Sequence, residues 1–343
     1  MTRRRIALTF GATLVLAGPA AAQDLIVGSW GGVWDDTVTE NIIDPLAAET
    51  GAEIAIVPGT STEQFARLLA NRGNPPVDVL FIDLDVAVTG FEQDLFEPLT
   101  VENIPNLANI FPAALYGDGT AVAHSFGAIT LIYNSDMVDS VDSWEILLDP
   151  EFEQDFAITT IDTWGVYLLS ALGSVTGEGP DDLEAGWSAL GQIAPRALAM
   201  SRDNELRALF ERGEIAVATA YGGEAYVMSQ AGVGPIVMAK PVEGMIAVPN
   251  LLAIPKGAEN LEMAYAFINE ALTVESQQAF GEAYASAPSV QGVELDPELL
   301  ASMPATAEDF DRLIKPDWSA INAARDDIFQ RWNIEIASIV GTE

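Results

Sequence analysis

The sequence contains no cysteine and only one histidine, His124. Without cysteine there is no disulfide, no thiol nucleophile and no Cys/His zinc site. A general base needs a partnered geometry, so a lone histidine beside apolar neighbours favours a structural role for His124. No nucleophile elbow, Walker loop or dinucleotide-binding glycine motif follows a predicted strand. We therefore expect no metal, no cofactor and no enzyme activity. A hydrolase that uses only two carboxylates stays open as a remote alternative.

Basic residues are also scarce: 15 Lys and Arg stand against 51 Asp and Glu, for a formal net charge of −36. Such an acidic surface repels nucleic acid and anionic lipid, which excludes both as partners. High net charge favours solubility, and it is compatible with a cationic ligand.

The first residues have the pattern of an export signal. Three arginines at 3–5 precede an apolar run over 6–17, and small residues at 20–22 suit a signal peptidase. The apolar run is too short for a membrane-spanning helix, which takes about 20 residues. We predict a signal peptide over 1–22 and a periplasmic location, with a retained membrane anchor as the alternative. The remaining chain is long enough for two domains held together by apolar cores.

After the signal, strands alternate with amphipathic helices. Strands are predicted over 25–29, 53–57 and 77–82, with a helix over 35–49 and another opened by a Ser-x-x-Gln capping box at 61–64. This β-α-β-α-β order predicts an α/β fold with a parallel sheet. Ligands of such sheets lie beyond the carboxyl ends of the strands. The segments expected at that edge are Ser29-Trp30-Gly31, Gly59-Thr60-Ser61 and Asp83-Leu84-Asp85.

A second α/β pattern follows in the middle of the chain. Its predicted strands are 128–134, 156–160, 215–220 and 245–254, and its predicted helices are 162–172, 183–193, 261–272 and 318–339. No Ser/Gly-rich linker separates the two patterns, so we expect strands to connect them. We assign residues 23–128 and 252–305 to lobe 1, and residues 129–251 and 306–343, with the C-terminal helix, to lobe 2.

In the order of its segments, the mature chain resembles the periplasmic solute-binding proteins of ABC transporters, in the spermidine/putrescine-binding branch. The segments that carry the resemblance are Trp30, 49–51, 77–79, 125–127, 131–134, 143–145, 147–150, 212–214, 218–224, 243–244 and 252–257. The resemblance implies the two-lobed periplasmic-binding-protein fold of type II, with a ligand cleft between lobes that close by a hinge. It also implies a monomer that binds a small, polar, cationic ligand of the polyamine type. The implied partners are an ABC permease and its ATPase.

The resemblance also assigns ligand positions. Trp30 and Tyr221 match pocket aromatics, Glu224 falls near a polar or acidic position, and Thr160 and Thr163 match a stretch that supplies carboxylates. Together with the strand-end segments, the expected ligand-binding residues are Trp30, Gly31, Thr60, Asp83, Asp85, Ser125, Phe126, Thr160, Thr163, Tyr221, Glu224, Asn250, Tyr284 and Trp318.

Two positions depart from the polyamine binders. Asn250 stands where they carry an Asp, and Val248 replaces a second pocket Trp. Asp83 and Asp85 offer compensating charge. Alternative ligands are an amino-acid derivative, a quaternary amine or a thiamine-like molecule, and a receptor that feeds a sensor is an alternative role. Four further tryptophans are expected to pack inside the protein: Trp144, Trp164, Trp187 and Trp332.

Overall fold

The computed structural model of the protein describes residues 24–152, 155–201 and 203–341, without the side chains at 162, 163, 203 and 204. The predicted signal peptide over 1–22 lies outside the described residues. Every helix in the described part is too short or too polar to span a bilayer.

The described strands form one continuous mixed sheet. Their bounds are β1 Leu25–Ser29, β2 Ile54–Pro58, β3 Val79–Asp83, β4 Leu115–Tyr116, β5 Ala121–Asn134, β6 Phe156–Thr159, β7 Ala199–Ser201, β8 Val217–Tyr221, β9 Ile236–Met238, β10 Ile246–Ala253 and β11 Ala287–Pro288. The strand order is β2-β1-β3-β10-β5-β8-β6-β7, and β4, β9 and β11 also pair with β5.

Helices cover both halves of this sheet. Their bounds are α1 Gly32–Val38, α2 Asp44–Thr50, α3 Ser61–Ala70, α4 Leu84–Glu92, α5 Val166–Thr176, α6 Leu183–Ile193, α7 Asp203–Glu211, α8 Glu224–Gln230, α9 Leu261–Ala271, α10 Val274–Tyr284, α11 Pro297–Leu300, α12 Ala307–Asp311, α13 Trp318–Ala323 and α14 Arg325–Glu335. Shorter helical turns are Thr39–Ile43, Pro105–Asn109, Pro112–Ala114, Trp144–Leu148, Ile161–Gly165 and Ala194–Arg196.

The predicted β-α-β-α-β order at the start of the chain is confirmed. Strand β1 pairs in parallel with β2 on one side and β3 on the other. The predicted helix over 35–49 is longer: α1, the π-helical turn Thr39–Ile43 and α2 follow one another without a break. It ends at Gly51, whose φ of 74° is the left-handed conformation that glycine adopts most readily.

The predicted capping box is wrong by one residue. Thr60 is the N-cap of α3: its hydroxyl accepts the Glu63 N–H at 3.2 Å, and the Glu63 carboxylate accepts the Thr60 N–H at 3.0 Å. Thr60 has the extended backbone that an N-cap requires. The hydroxyl of Ser61 is therefore available for contacts in the site described below.

Two strands connect the two halves of the molecule. β5 is 14 residues long, and β10 runs antiparallel along it from the Ile246–Ile129 pair to the Ala253–Ala121 pair. The predicted strand over 128–134 is thus the second half of a longer one. β5 also pairs with β8, over its residues Ile129 to Tyr133. The two halves of the sheet therefore share β5 and β10 as their central strands. The lobe boundaries stay a prediction.

Three of the four tryptophans expected to pack inside do so. Trp144, Trp187 and Trp332 are at most 5% exposed and lie in one apolar cluster under β6 and β8. The predicted C-terminal helix over 318–339 is two helices, because the backbone leaves helical geometry at Ala324.

His124 lies on β5 and is fully buried among aromatic rings. Its ring centroid is 4.3 Å from Phe280, 5.7 Å from Phe81 and 6.1 Å from Trp34. Neither ring nitrogen has a hydrogen-bond partner among the described residues. Burial lowers the pKa of His124 to about 3, because the apolar surroundings disfavour the charged imidazolium. Its backbone oxygen accepts bonds from Gln277 Nε2 and Ser289 Oγ, so the backbone of His124 is held while its ring packs among aromatic side chains.

His124 should make the protein sensitive to acid. Because the folded pKa lies below that of the unfolded chain, the unfolded state binds more protons between about pH 6.5 and pH 3, and stability falls as the pH falls through this window. We expect His124→Leu to reduce the slope of unfolding free energy against pH by up to about 1.4 kcal/mol per pH unit. Urea unfolding between pH 4 and pH 7 measures this slope.

Phe280→Leu is the matched control, since it changes a neighbouring core side chain that does not titrate. It should lower stability at every pH and leave the slope as it is in the parent protein. Equal slopes in the parent and His124→Leu would contradict the lowered pKa of His124.

Candidate ligand-binding cleft

A cleft of about 560 Å³ lies between the two halves of the sheet. Its volume is typical of sites for small organic ligands. One side comes from the carboxyl ends of β1 and β3 and from the end of α10, and the other from the end of β8, the segment 161–167 and the starts of α8, α13 and α14. The lining residues are Trp30, Trp34, Asp83, Leu84, Asp85, Ile161, Trp164, Val166, Tyr167, Tyr221, Glu224, Val227, Val248, Pro249, Asn250, Ala283, Tyr284, Ser286, Trp318, Arg325 and Phe329.

The predicted strand-end segments meet at this cleft through the hydroxyl of Ser61. The indole Nε1–H of Trp30 donates to Ser61 Oγ at 2.9 Å, and the Ser61 hydroxyl donates to Asp83 Oδ2 at 2.7 Å. The backbone N–H of Asp83 donates to the same Ser61 oxygen at 3.0 Å. Ser61 is only 3% exposed, so these bonds are shielded from water. One serine therefore fixes both the ring of Trp30 and the carboxylate of Asp83.

The carboxylate of Asp83 is held in surroundings that disfavour its charge. Burial raises the pKa of Asp83 above its ordinary value, and the negative charge of Asp85 raises it further, while the bond from Ser61 acts in the opposite direction. A cation beside Asp83 would stabilise the charged carboxylate and so offset the rise in its pKa. The site is thus suited to a positively charged group.

Aromatic rings surround this carboxylate on the β1 side. The ring of Trp30 meets Trp34 edge to face at a centroid distance of 4.7 Å, and Trp34 lies 5.0 Å from Tyr284. Ring faces attract organic cations through their quadrupoles. Trp30, Trp34 and Tyr284 together form an apolar wall that tolerates an ammonium group.

A second aromatic group lines the opposite side. Trp164 stacks on Tyr221 at a centroid distance of 6.3 Å, and Tyr167 lies 4.8 Å from Trp318. Burial and the charge of Glu224 raise the pKa of Tyr221, so its phenol stays protonated. Gly127 on β5 makes room for this tyrosine, because a β-carbon there would come within 2.0 Å of the ring.

An ion pair crosses the cleft near Asp83. Arg325 Nη2, at the start of α14, lies 2.7 Å from Asp85 Oδ2, in the first turn of α4. The same nitrogen donates to Asn322 Oδ1 at 2.8 Å, and Asn322 Nδ2 donates to the backbone oxygen of Asp85 at 2.5 Å. These contacts hold α13 and α14 against α4.

Most of the ligand residues expected from the sequence line the cleft. They are Trp30, Asp83, Asp85, Tyr221, Glu224, Asn250, Tyr284 and Trp318.

Five others lie next to the cleft but do not line it. Gly31 forms the turn into α1 with a φ of 91°, Thr60 caps α3, and Thr160 precedes the turn at 161–165. Ser125 is buried and accepts a bond from Asn250 Nδ2 at 2.9 Å. Phe126 is fully buried, with Phe310 at 5.1 Å. The side chain of Thr163 lies outside the described residues.

The lining also contains residues that were not expected from the sequence, among them Trp34, Trp164, Tyr167 and Arg325. Trp164 was expected to pack inside, and it does pack against the apolar cluster, but it is only partly buried and also lines the cleft. The strand-end rule applied to β6 would have found Trp164, which follows that strand by five residues. The described residues contain no group of three or more His, Asp and Glu side chains able to hold a metal ion.

Comparison with known proteins places the chain in a family. Residues 41–307 match the family described as bacterial extracellular solute-binding protein. The spermidine/putrescine-binding periplasmic protein of Escherichia coli (strain K12) is 26% identical over 247 residues, covering 69% of this chain and 70% of that protein. The probable ABC transporter periplasmic-binding protein y4fP of Sinorhizobium fredii is 26% identical over 351 residues, covering 97% and 92%.

Solved structures agree with this placement. An ABC transporter structure from Clostridium perfringens ATCC 13124 matches with a TM-score of 0.79 and 26% identity, covering 91% of this chain and 99% of that one. The predicted two-lobed periplasmic-binding-protein fold is thereby confirmed. With the family match spanning most of its length, the chain belongs to the bacterial extracellular solute-binding proteins.

Proposed function

We propose that this protein is the substrate-binding component of an ABC importer and that it binds a small amine cation of the polyamine type in the cleft. The observation that carries the proposal is the carboxylate of Asp83 at the cleft, held by Ser61 beside the ring of Trp30. Aromatic faces beside a carboxylate favour an ammonium group through cation–π contacts and charge-assisted hydrogen bonds. The relative from Escherichia coli is named for spermidine and putrescine, which supports this ligand class.

The position of Asp83 accounts for the missing acid at 250. In the sheet, Asn250 on β10 is directly opposite Asp83 on β3. An ammonium bound at this edge can therefore contact a carboxylate from β3 where polyamine binders supply one from the neighbouring strand. Val248 lines the cleft as an apolar side chain. The aromatic contacts with the ligand would therefore come from Trp30, Trp34 and Tyr284.

Ligand binding would act on the arrangement of the two lobes. The lining comes from both halves of the sheet, so a ligand gains its full set of contacts only when they are close together. The two shared strands, β5 and β10, are the natural hinge. The lobes would be those predicted from the sequence, 23–128 with 252–305 and 129–251 with 306–343.

Import is favoured over a sensing role, because both the relative from Sinorhizobium and the structure from Clostridium are named for ABC transporters. The partners would be an ABC permease and its ATPase, which read the ligand-bound form. The N-terminal signal pattern supports export to the periplasm. The protein would act there as a monomer, as the resemblance to the family implies.

Isothermal titration with putrescine and spermidine tests the proposal. We expect saturable one-to-one binding of at least one of these amines. Absence of binding to both amines would contradict the proposed ligand class.

Asp83→Asn should weaken amine binding by about 1.5–3 kcal/mol, because the charge-assisted bond to the ammonium is lost. In the parent protein, affinity should fall as the pH decreases through the raised pKa of Asp83, since protonation removes the charge that the ligand contacts. Titration calorimetry over a series of pH values measures both effects. An Asp83→Asn protein with parental affinity and an unchanged pH profile would contradict the role of this carboxylate.

Trp30→Ala and Tyr221→Ala should each weaken binding by about 1–3 kcal/mol while the protein remains folded, because each removes an aromatic contact with the ligand. Tyr265→Ala is the control: this ring on α9 is partly buried in the neighbouring core and does not line the cleft. Affinities come from calorimetry and folding from circular dichroism. Parental affinity in both site variants would show that the ligand binds elsewhere.

A further inference from the structure

Arg325 stands out in a protein that has few basic residues. The whole sequence contains 15 Lys and Arg against 51 acids, yet one of these cations lines the cleft. Among the described lining residues it is the one basic side chain. It occupies the first position of α14, where the helix dipole disfavours a positive charge. Neither composition nor helix formation explains an arginine at this place.

The guanidinium of Arg325 is held over Asp85 by more than one contact. Its Nη2 lies 2.7 Å from Asp85 Oδ2 and donates to Asn322 Oδ1 at 2.8 Å. Asn322 in turn donates to the backbone oxygen of Asp85 at 2.5 Å, and Ser319 on α13 donates to Glu92 on α4. The Arg325 side chain is 40% exposed, so it faces the solvent space of the cleft rather than the core.

The pair changes the charge that a ligand meets beside Asp83. Asp83 and Asp85 are close enough that the charge of Asp85 raises the pKa of Asp83. Without a counter-ion these two carboxylates would present two negative charges to a ligand. Arg325 neutralises one of them, so the Asp83–Asp85–Arg325 group presents a single net negative charge, and Glu224 on the opposite side of the cleft adds a second. Two net negative charges match the two ammonium groups of a diamine. Each ammonium of a desolvated amine needs its own compensating charge, and a further ammonium near Arg325 would be repelled.

We propose that Arg325 sets the ligand charge that the cleft accepts: it neutralises Asp85 and so favours an amine of lower charge, such as a diamine, over a triamine. The inference rests on the proposed binding of amine cations in this cleft. Arg325 acts here as a specificity residue, because its effect depends on the number of ammonium groups in the ligand.

The test varies the net charge of the Asp85–Arg325 pair by substitution. The ratio of the dissociation constants for putrescine and spermidine is measured by calorimetry in the parent, Arg325→Gln, Asp85→Asn and the double variant. Arg325→Gln should shift the ratio toward spermidine by at least about fivefold, since it adds a net negative charge. Asp85→Asn should shift it by a similar factor toward putrescine. The double variant should return close to the parental ratio.

Arg207→Gln is the matched control, because it removes the same charge from an exposed arginine on α7 whose side chain pairs with Glu211 away from the cleft. Its ratio should equal that of the parent. If Arg325→Gln acts only by loosening α13 and α14 from α4, both amines weaken equally and the unchanged ratio overturns the inference. If the amines bind but the ratio is the same throughout the series, the inference fails and the proposed function survives. If the parent binds neither amine, both fail.

Discussion

The antiparallel pairing of β10 along β5 is the interaction on which the rest of the structure depends. It starts in one half of the sheet at the Ile246–Ile129 pair and ends in the other at the Ala253–Ala121 pair. Because buried backbone groups must be hydrogen-bonded, neither strand can leave the other without exposing unpaired N–H and C=O groups. The register shifts between Asn250 and Leu251, beside the cleft. The two halves are thus joined by continuous backbone at the point where a ligand would bind.

Around this joint, a few polar bonds organise a largely aromatic site. Ser61 is the clearest example: the residue opens α3, and its hydroxyl contacts both Trp30 after β1 and Asp83 at the end of β3. The capping of α3 by Thr60 rather than Ser61 releases that hydroxyl for the site. Parallel strands bring their carboxyl ends to one edge, and a single buried serine converts this proximity into a fixed geometry.

The electrostatics of the cleft differ from those of the protein as a whole. A net charge of −36 would attract any cation weakly and without selectivity. Selectivity requires charges at defined positions, such as the Asp83 carboxylate that Ser61 holds beside Trp30. Arg325 then reduces the local negative charge beside it through the pair with Asp85. The net charge of the whole protein would therefore attract cations, while the charged residues of the cleft would discriminate among them.

The sequence by itself determined the alternation of β1, β2 and β3 with helices, and with it the meeting of Trp30 and Asp83, because hydrophobic periodicity and the rules of parallel sheets are local properties. The tertiary structure alone decided the rest. Arg325 reaches the cleft from a segment whose local pattern predicts only helix, and its partner Asp85 is remote in the chain. No periodicity encodes which distant side chains meet across two lobes, since that depends on how the shared strands orient the two halves of the sheet.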